Sequence, residues 1–182
     1  MRVISGTAKG CRLQEPRDRK IRPTTDKVKE SIYNIIQFEV EGSRVLDMFA
    51  GTGQLGIEAL SRGASEAVFT EASGEAARIV ESNLRAARVE DRGRLVRGDC
   101  LTSIGRLGKF DIILLDPPYS TGLLEKALAR IIEFDNLTAD GIIVCELPSE
   151  DSLPDLPMPY HIRREYRYGK IKLIVITRGE QP

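Results

Sequence analysis

The stretch Asp111-Ile112-Ile113-Leu114-Leu115-Asp116-Pro117-Pro118-Tyr119 carries the most chemistry in this 182-residue chain. Four consecutive apolar residues predict a buried strand, and the two prolines after it fix a stiff turn that donates no backbone N–H at either position. A rigid turn bearing a carboxylate, a free carbonyl and an aromatic ring suits a planar base with an exocyclic amine. Asp116 and the Pro117 carbonyl would each accept an amine hydrogen, and Tyr119 would stack on the ring, a contact worth roughly 1–3 kcal/mol. Asp116, Pro117, Pro118 and Tyr119 are therefore the expected catalytic turn, against the plainer reading of a turn that only ends a strand.

A second constellation precedes it. Val45 to Gly56 reads as a strand, a glycine turn and a helix start, where glycines let the backbone approach a ligand and free N–H groups favour polar or negative groups. Gly51-Thr52-Gly53-Gln54-Leu55-Gly56 matches the dinucleotide pattern, with Glu71 twenty residues after Gly51. Alone, the loop fits NAD nearly as well as S-adenosylmethionine. Asp47 favours the latter, since a carboxylate there repels a pyrophosphate but holds the ammonium group of a zwitterionic sulfonium ligand. Glu71 would accept from ribose hydroxyls, and Asp99, with Cys100 beside it, from the adenine amine. Each acid also has a structural reading: turn cap for Asp47, exposed strand end for Glu71, helix N-cap for Asp99.

Alternating β-branched runs and helical patterns supply the elements that would hold these residues, the signature of a parallel sheet covered by helices. Strands are expected over Arg44–Met48, Glu66–Thr70, Gly93–Arg97, Asp111–Leu115 and Gly141–Glu146. Helices are expected over Gln54–Arg62, Gly74–Arg88, Leu101–Arg106 and Gly122–Phe134. Pro154, Pro157 and Pro159 then forbid a helix, and Tyr160–Arg167 and Lys170–Thr177 read as an antiparallel hairpin closing one sheet edge. A parallel sheet finished by a late hairpin distinguishes class I methyltransferases from the plain dinucleotide-binding fold. At the front, Arg2–Ile4 and Arg12–Gln14 read as short strands turning at Lys9-Gly10. Thr25–Phe38 has helical spacing, with Val28, Ile32, Ile35 and Ile36 on one face and Thr24 or Thr25 as cap.

Composition bounds the rest. The chain has 27 basic and 27 acidic residues, but residues 1–29 hold nine Lys/Arg against three acids. That local excess would draw a polyanion, although solvated charge runs are commoner. The phosphate-contact candidates are Arg2, Lys9, Arg12, Lys20, Arg22, Lys27 and Lys29, with Arg167, Tyr168, Lys170 and Lys172 as a second patch. Cys11, Cys100 and Cys145 are too few and too dispersed for a disulfide framework or zinc knuckle, so a reducing cytoplasmic compartment is expected. No apolar run approaches a membrane span. The lone histidine, His161, reads as structural or exposed and not as a general base, and Cys145 as core; Glu146 reads equally as a strand-end partner, for the base or for Arg residues, or as an ordinary exposed acid.

Asp116-Pro117-Pro118-Tyr119 resembles the (Asn/Asp)-Pro-Pro-(Tyr/Phe) motif of amino-group methyltransferases. Arg2-Val3-Ile4-Ser5-Gly6, Lys9-Gly10, Arg22 to Glu30, Gly56 to Ala64 and Tyr168-Gly169-Lys170 extend the resemblance over nearly the whole chain, to the RsmD-type family of small-subunit ribosomal RNA guanine-N2 methyltransferases. The resemblance implies a Rossmann-like class I fold, with a mostly parallel seven-stranded sheet, helices on both faces and a C-terminal antiparallel hairpin. It implies one catalytic domain in which residues 1–23 form a basic RNA-binding arm and residues 24–182 the core. It further implies methyl transfer from S-adenosylmethionine to N2 of a guanine, and a cofactor lined by Asp47, Met48, Phe49, Gly51, Thr52, Gly53, Glu71, Ala72, Asp99 and Cys100, with Arg22 and Thr24 closing over it. Small-subunit RNA or its particle is the expected partner, with no metal and a monomeric enzyme. Met48 and Gln54 vary an ordinary loop, and Ile171 replaces a position often polar. The alternatives are an amino-methyltransferase acting on DNA adenine or another nucleobase, a non-catalytic RNA-binding protein and, last, an NAD-linked oxidoreductase.

Overall fold

A computed structural model of the chain describes residues 1–16 and 25–179. Lys20, Arg22 and Thr24, expected at the cofactor or the RNA, lie outside the described residues.

Seven strands form one sheet: β1 (Arg44–Asp47), β2 (Glu66–Glu71), β3 (Gly93–Arg97), β4 (Phe110–Leu115), β5 (Leu137–Pro148), β6 (Tyr160–Tyr168) and β7 (Ile171–Arg178), in the spatial order β3-β2-β1-β4-β5-β7-β6. The first five run parallel, while β7 lies antiparallel between β5 and β6. The late hairpin is thus part of the sheet, and the class I methyltransferase arrangement expected from the sequence is the one observed.

Strand residues alternate between two apolar cores, as the two-residue period requires. Val45, Phe69, Ile112, Leu114, Val144 and Val175 face one side with α1 (Asp26–Ile35), α2 (Gln54–Ser61) and α3 (Gly74–Ala87). Leu46, Val68, Ile113, Leu115, Ile143 and Ile174 face the other with α4 (Cys100–Ser103) and α5 (Leu123–Glu133). Among the described residues no helix is long and apolar enough to cross a membrane.

Four expectations change in detail, the first being β5, which begins at Leu137 and ends at Pro148, beyond the Gly141–Glu146 expected for it. The helix expected over Leu101–Arg106 is α4 running into a 3-10 turn, Ile104–Arg106. Gly105 within it lies against Phe134, where an added Cβ would stand 3.0 Å from the ring, and glycine is a poor helix former. Helix α1 stops before Phe38, which is 90% exposed. The paired front strands reduce to a single antiparallel bridge, Arg2 to Arg12.

That short hairpin, held also by bonds from the Val3 N–H to the Cys11 carbonyl at 2.9 Å and from the Leu13 N–H to the Met1 carbonyl at 3.2 Å, is docked on α2. Helix α2 is buried along its length, and Glu58 at its centre is fully buried among apolar neighbours. Its carboxylate accepts from the backbone N–H groups of Ile4 at 2.8 Å and Ser5 at 2.9 Å, and pairs with Arg62 at 2.8 Å and Lys29 at 3.5 Å. Ser61 adds a donated bond to the Ser5 carbonyl and an accepted one from the Ala8 N–H. A buried carboxylate needs this degree of pairing. The front of the chain supplies much of it, so residues 1–8 are held down by the group they satisfy.

Candidate active site

The strand order reverses between β1 and β4, and in open α/β sheets ligands occupy the crevice outside the carboxyl ends of the strands at that switch point. Both sequence constellations converge there. The glycine loop leaves β1 and the Asp-Pro-Pro-Tyr turn leaves β4, its neighbour in the sheet. Five acids mark this edge in spatial order: Asp99 after β3, Glu71 ending β2, Asp47 ending β1, Asp116 after β4, and Glu146 near the end of β5.

The loop is shaped by its glycines and by backbone ties. Gly51 and Gly53 adopt positive φ, 55° and 76°, and Gly53 leads directly into α2. Gly56 serves packing, since a Cβ there would lie 2.3 Å from the Phe69 ring on β2. Asp47 is 2% exposed and accepts from the Gly56 N–H at 2.9 Å. Burial, with Asp116 and Glu71 adding like charge, lifts its carboxyl to about 7. Such a carboxyl is poised for a cationic partner, whose charge would replace lost hydration.

Glu71 accepts from the Gly51 N–H at 2.9 Å and from the Ser73 N–H at 2.7 Å, bracing the loop from β2. Asp99 accepts from the Leu101 N–H at 2.9 Å as N-cap of α4, the structural reading weighed for it. Met48 turns its side chain into the α5-side core, and its carbonyl accepts from the Thr70 hydroxyl at 2.6 Å. Phe49 is half-buried and Ala72 exposed. Cys100 is buried, and burial followed by the Asp99 charge pushes its thiol up to about 11, which removes it as a nucleophile near neutral pH. Sequence reasoning missed Asn83. Its amide donates to the Thr52 carbonyl at 2.9 Å and the Gln14 carbonyl at 3.1 Å, and its oxygen accepts from the Gln14 N–H at 2.7 Å, tying the glycine loop to the front segment. The available signal was a lone amide in the apolar stripe Ile79, Val80, Leu84 and Ala87.

The turn after β4 presents Asp116 half-buried, Pro117 buried and Tyr119 40% exposed. The Tyr119 hydroxyl donates to Glu146 at 2.8 Å, and Glu146 is 5% exposed, which settles it as a site-edge group and not an ordinary surface acid. Pro117 to Glu125, Glu146 and Asp151 line one cleft. A larger groove of about 320 Å³ runs between α1 and β6 over Ile142 and Val175, and none of the residues of this turn lines it. Among the described residues no cluster of His, Cys, Asp and Glu could hold a metal ion.

The basic candidates separate. Arg2, Lys9, Arg12, Lys27, Arg167 and Lys170 are exposed. Lys29 is not available to RNA: it is fully buried, donating to the Arg2 carbonyl at 2.5 Å and pairing with Glu58, and burial lowers its pKa. Lys172 is likewise buried, 3.9 Å from Glu165, and Tyr168 is half-buried against the core. The two buried lysines, Lys29 and Lys172, depart from expectation for one reason. Each follows the local charge or motif pattern but points inward from its helix or strand. His161, by contrast, is structural as read, sharing a 3.2 Å hydrogen bond with Thr177.

This fold and edge define a class I methyltransferase. The family described as "Conserved hypothetical protein 95" matches residues 1–177. The chain is 41% identical over 173 residues to the Bacillus subtilis (strain 168) protein named "Putative rRNA methyltransferase YlbH", covering 93% of this chain and 94% of that one. It is 30% identical over 182 residues to "Ribosomal RNA small subunit methyltransferase D" of Escherichia coli (strain K12), covering 100% of this chain and 91% of the relative. A solved structure, "Putative methyltransferase yhhF from Escherichia coli", superposes with a TM-score of 0.90 at 29% identity, covering 100% of this chain and 99% of that one. The chain belongs to the RsmD-type family of methyltransferases.

Proposed function

We propose that this protein transfers a methyl group from S-adenosylmethionine to the exocyclic N2 amine of a guanine in small-subunit ribosomal RNA. The observation that carries the reading is the placing of Asp116 to Tyr119 at the end of β4, beside the glycine loop of β1 across the sheet's switch point. The names of the full-length relatives support RNA of the small subunit as the substrate.

The residues fit a zwitterionic sulfonium cofactor. Asp47 offers a buried, half-titrated carboxyl to an ammonium group, Glu71 and Asp99 offer acids at the next two strand ends, and the loop keeps close backbone approach. When bound, that cofactor supplies an electrophilic methyl group: the carbon–sulfur bond breaks with its electron pair left on sulfur as the nitrogen–carbon bond forms. The chain's own task lies with the amine. A guanine N2 lone pair is delocalised into the ring, and acceptors on both N–H bonds, the Asp116 carboxylate and the Pro117 carbonyl, would favour pyramidal nitrogen and aim the lone pair. Tyr119 would hold the ring plane. In-line positioning of this kind is worth up to about 7–11 kcal/mol, and fixed acceptors stabilise the positive charge growing on nitrogen. The proton left on nitrogen passes to Asp116 or to solvent.

A paired base could not reach this turn, so the target is unpaired or extruded. Arg2, Lys9, Arg12, Lys27, Arg167 and Lys170 are the remaining phosphate contacts. The enzyme is taken to act as a monomer in the cytoplasm, consistent with three free thiols. The test is methyl transfer from labelled S-adenosylmethionine to unmodified small-subunit RNA and particles, with digestion to nucleosides. N2-methylguanosine supports the reading. Methylated adenosine, or no product despite cofactor binding, overturns it.

A further inference from the structure

We propose that Glu146 is the residue that selects guanine over other amine-bearing bases, by accepting a hydrogen bond from the ring N1–H. The inference rests on the guanine-N2 reading above. Leu115 of β4 pairs in register with Cys145 of β5, so the residues that follow, Asp116 and Glu146, stand side by side at the ends of adjoining strands. Cys145 and Leu147 both turn toward the α5-side core, which places Glu146 on the opposite face of its strand. There it is 5% exposed, accepts the Tyr119 hydroxyl at 2.8 Å and lines the cleft shared with the catalytic turn.

The chemistry of the base supplies the remaining step. Guanine presents three adjacent donors, two on N2 and one on N1. Asp116 and the Pro117 carbonyl answer the N2 pair, leaving N1–H to be answered. A carboxylate one strand over is a pure acceptor suited to it. Adenine offers only a lone pair at N1, which the same carboxylate repels, and a site built to hydrogen-bond a donor rejects the analogue lacking it. The turn recognises an exocyclic amine of any base; Glu146 adds the second recognition element that makes the choice.

The test uses RNA assembled by ligation, with guanine or 2-aminopurine at the mapped target. Both bases carry the reactive amine, but N1 is a donor in guanine and an acceptor in 2-aminopurine. Wild type is expected to methylate guanine about 10- to 100-fold faster, and Glu146→Gln, whose amide can donate to an N1 lone pair, to bring the two rates within about threefold. Tyr119→Phe, which removes the hydroxyl but leaves Glu146, is expected to slow both substrates with the preference kept. Equal wild-type rates on both bases would overturn the proposal whether or not the variant folds. So would a Glu146→Gln enzyme that binds cofactor normally and loses the same factor on both substrates, since Glu146 would then serve only to position Tyr119. If wild type makes no N2-methylguanosine at all, it is the underlying reading that fails.

Discussion

Asp47 couples the site to pH. Folding lifts its carboxyl from an ordinary 3.8 to about 7, so between those values the folded chain keeps a proton that the unfolded chain has released. Stability of the cofactor-free protein should therefore fall as pH rises from about 4 to about 7, by up to about 4 kcal/mol from this group. Thermal unfolding of wild type against Asp47→Asn across that range checks it, because the amide can still accept from Gly56 but does not titrate. An ammonium-bearing ligand restores the charged form. S-adenosylmethionine affinity should then rise with pH up to about 7, approaching about tenfold per unit at the acid end. Calorimetry in buffers of different ionisation heat should detect the released proton; a flat affinity profile would remove Asp47 as the ammonium partner. Aromatic stacking gives a second test, since Tyr119→Ala should cost roughly 1–3 kcal/mol in RNA substrate binding, read as KM or Kd.

At the scale of elements, the α2 network matters most. Glu58 joins Lys29 of α1, Arg62 at the end of α2, and the backbone of Ile4 and Ser5. Glu58→Ala would leave the Lys29 ammonium buried without its carboxylate and should destabilise by about 3–5 kcal/mol, seen in denaturant unfolding, with loosening of residues 1–8 in hydrogen exchange. Lys29→Met should be much milder, because it removes a buried charge and fills its volume. The same comparison separates the basic residues by role. Replacing exposed Lys9 and Arg12 with alanine should reduce the salt dependence of RNA binding by about 0.7 for each phosphate no longer neutralised, whereas Lys29→Met should leave that slope unchanged. A shallower slope in the Lys29 variant would restore it to the RNA surface.

At the scale of the molecule, the sequence is most legible where the period of the side chains is enforced by burial on both faces. Strands β1, β2 and β4, buried along most of their length, differ from expectation only at their ends, while the partly exposed edge strand β3 has the bounds expected for it because Gly93 and Gly98 punctuate it. The hairpin was legible from Tyr168-Gly169 between two β-like runs, and the chemistry-bearing end of β4 from the two prolines that follow it. What pattern reading lacked was direction. Helical spacing puts Lys29 on the face of Ile32, Tyr33 and Ile36 and Lys27 on the opposite one, but the basic run was read for charge alone, and nothing local reveals that Glu58 of α2 is the partner Lys29 turns to. Likewise Glu146 stood between two readings until β4 and β5 were placed in register and Tyr119 was found on its carboxylate. Pairings across strands and helices come from tertiary structure, so the residues that answer to distant partners were the ones left open.

The proposed reaction divides labour across the switch point, with the loop after β1 holding the cofactor and the turn after β4 holding the amine. The most direct measurement is methyl transfer by Asp116→Ala on unmodified small-subunit RNA, made together with its S-adenosylmethionine Kd. Turnover is expected to fall by about 10²–10³-fold with the cofactor Kd within about threefold of wild type, since Asp116 lies outside the loop. Retained turnover, or a loss explained by weakened cofactor binding alone, would contradict it.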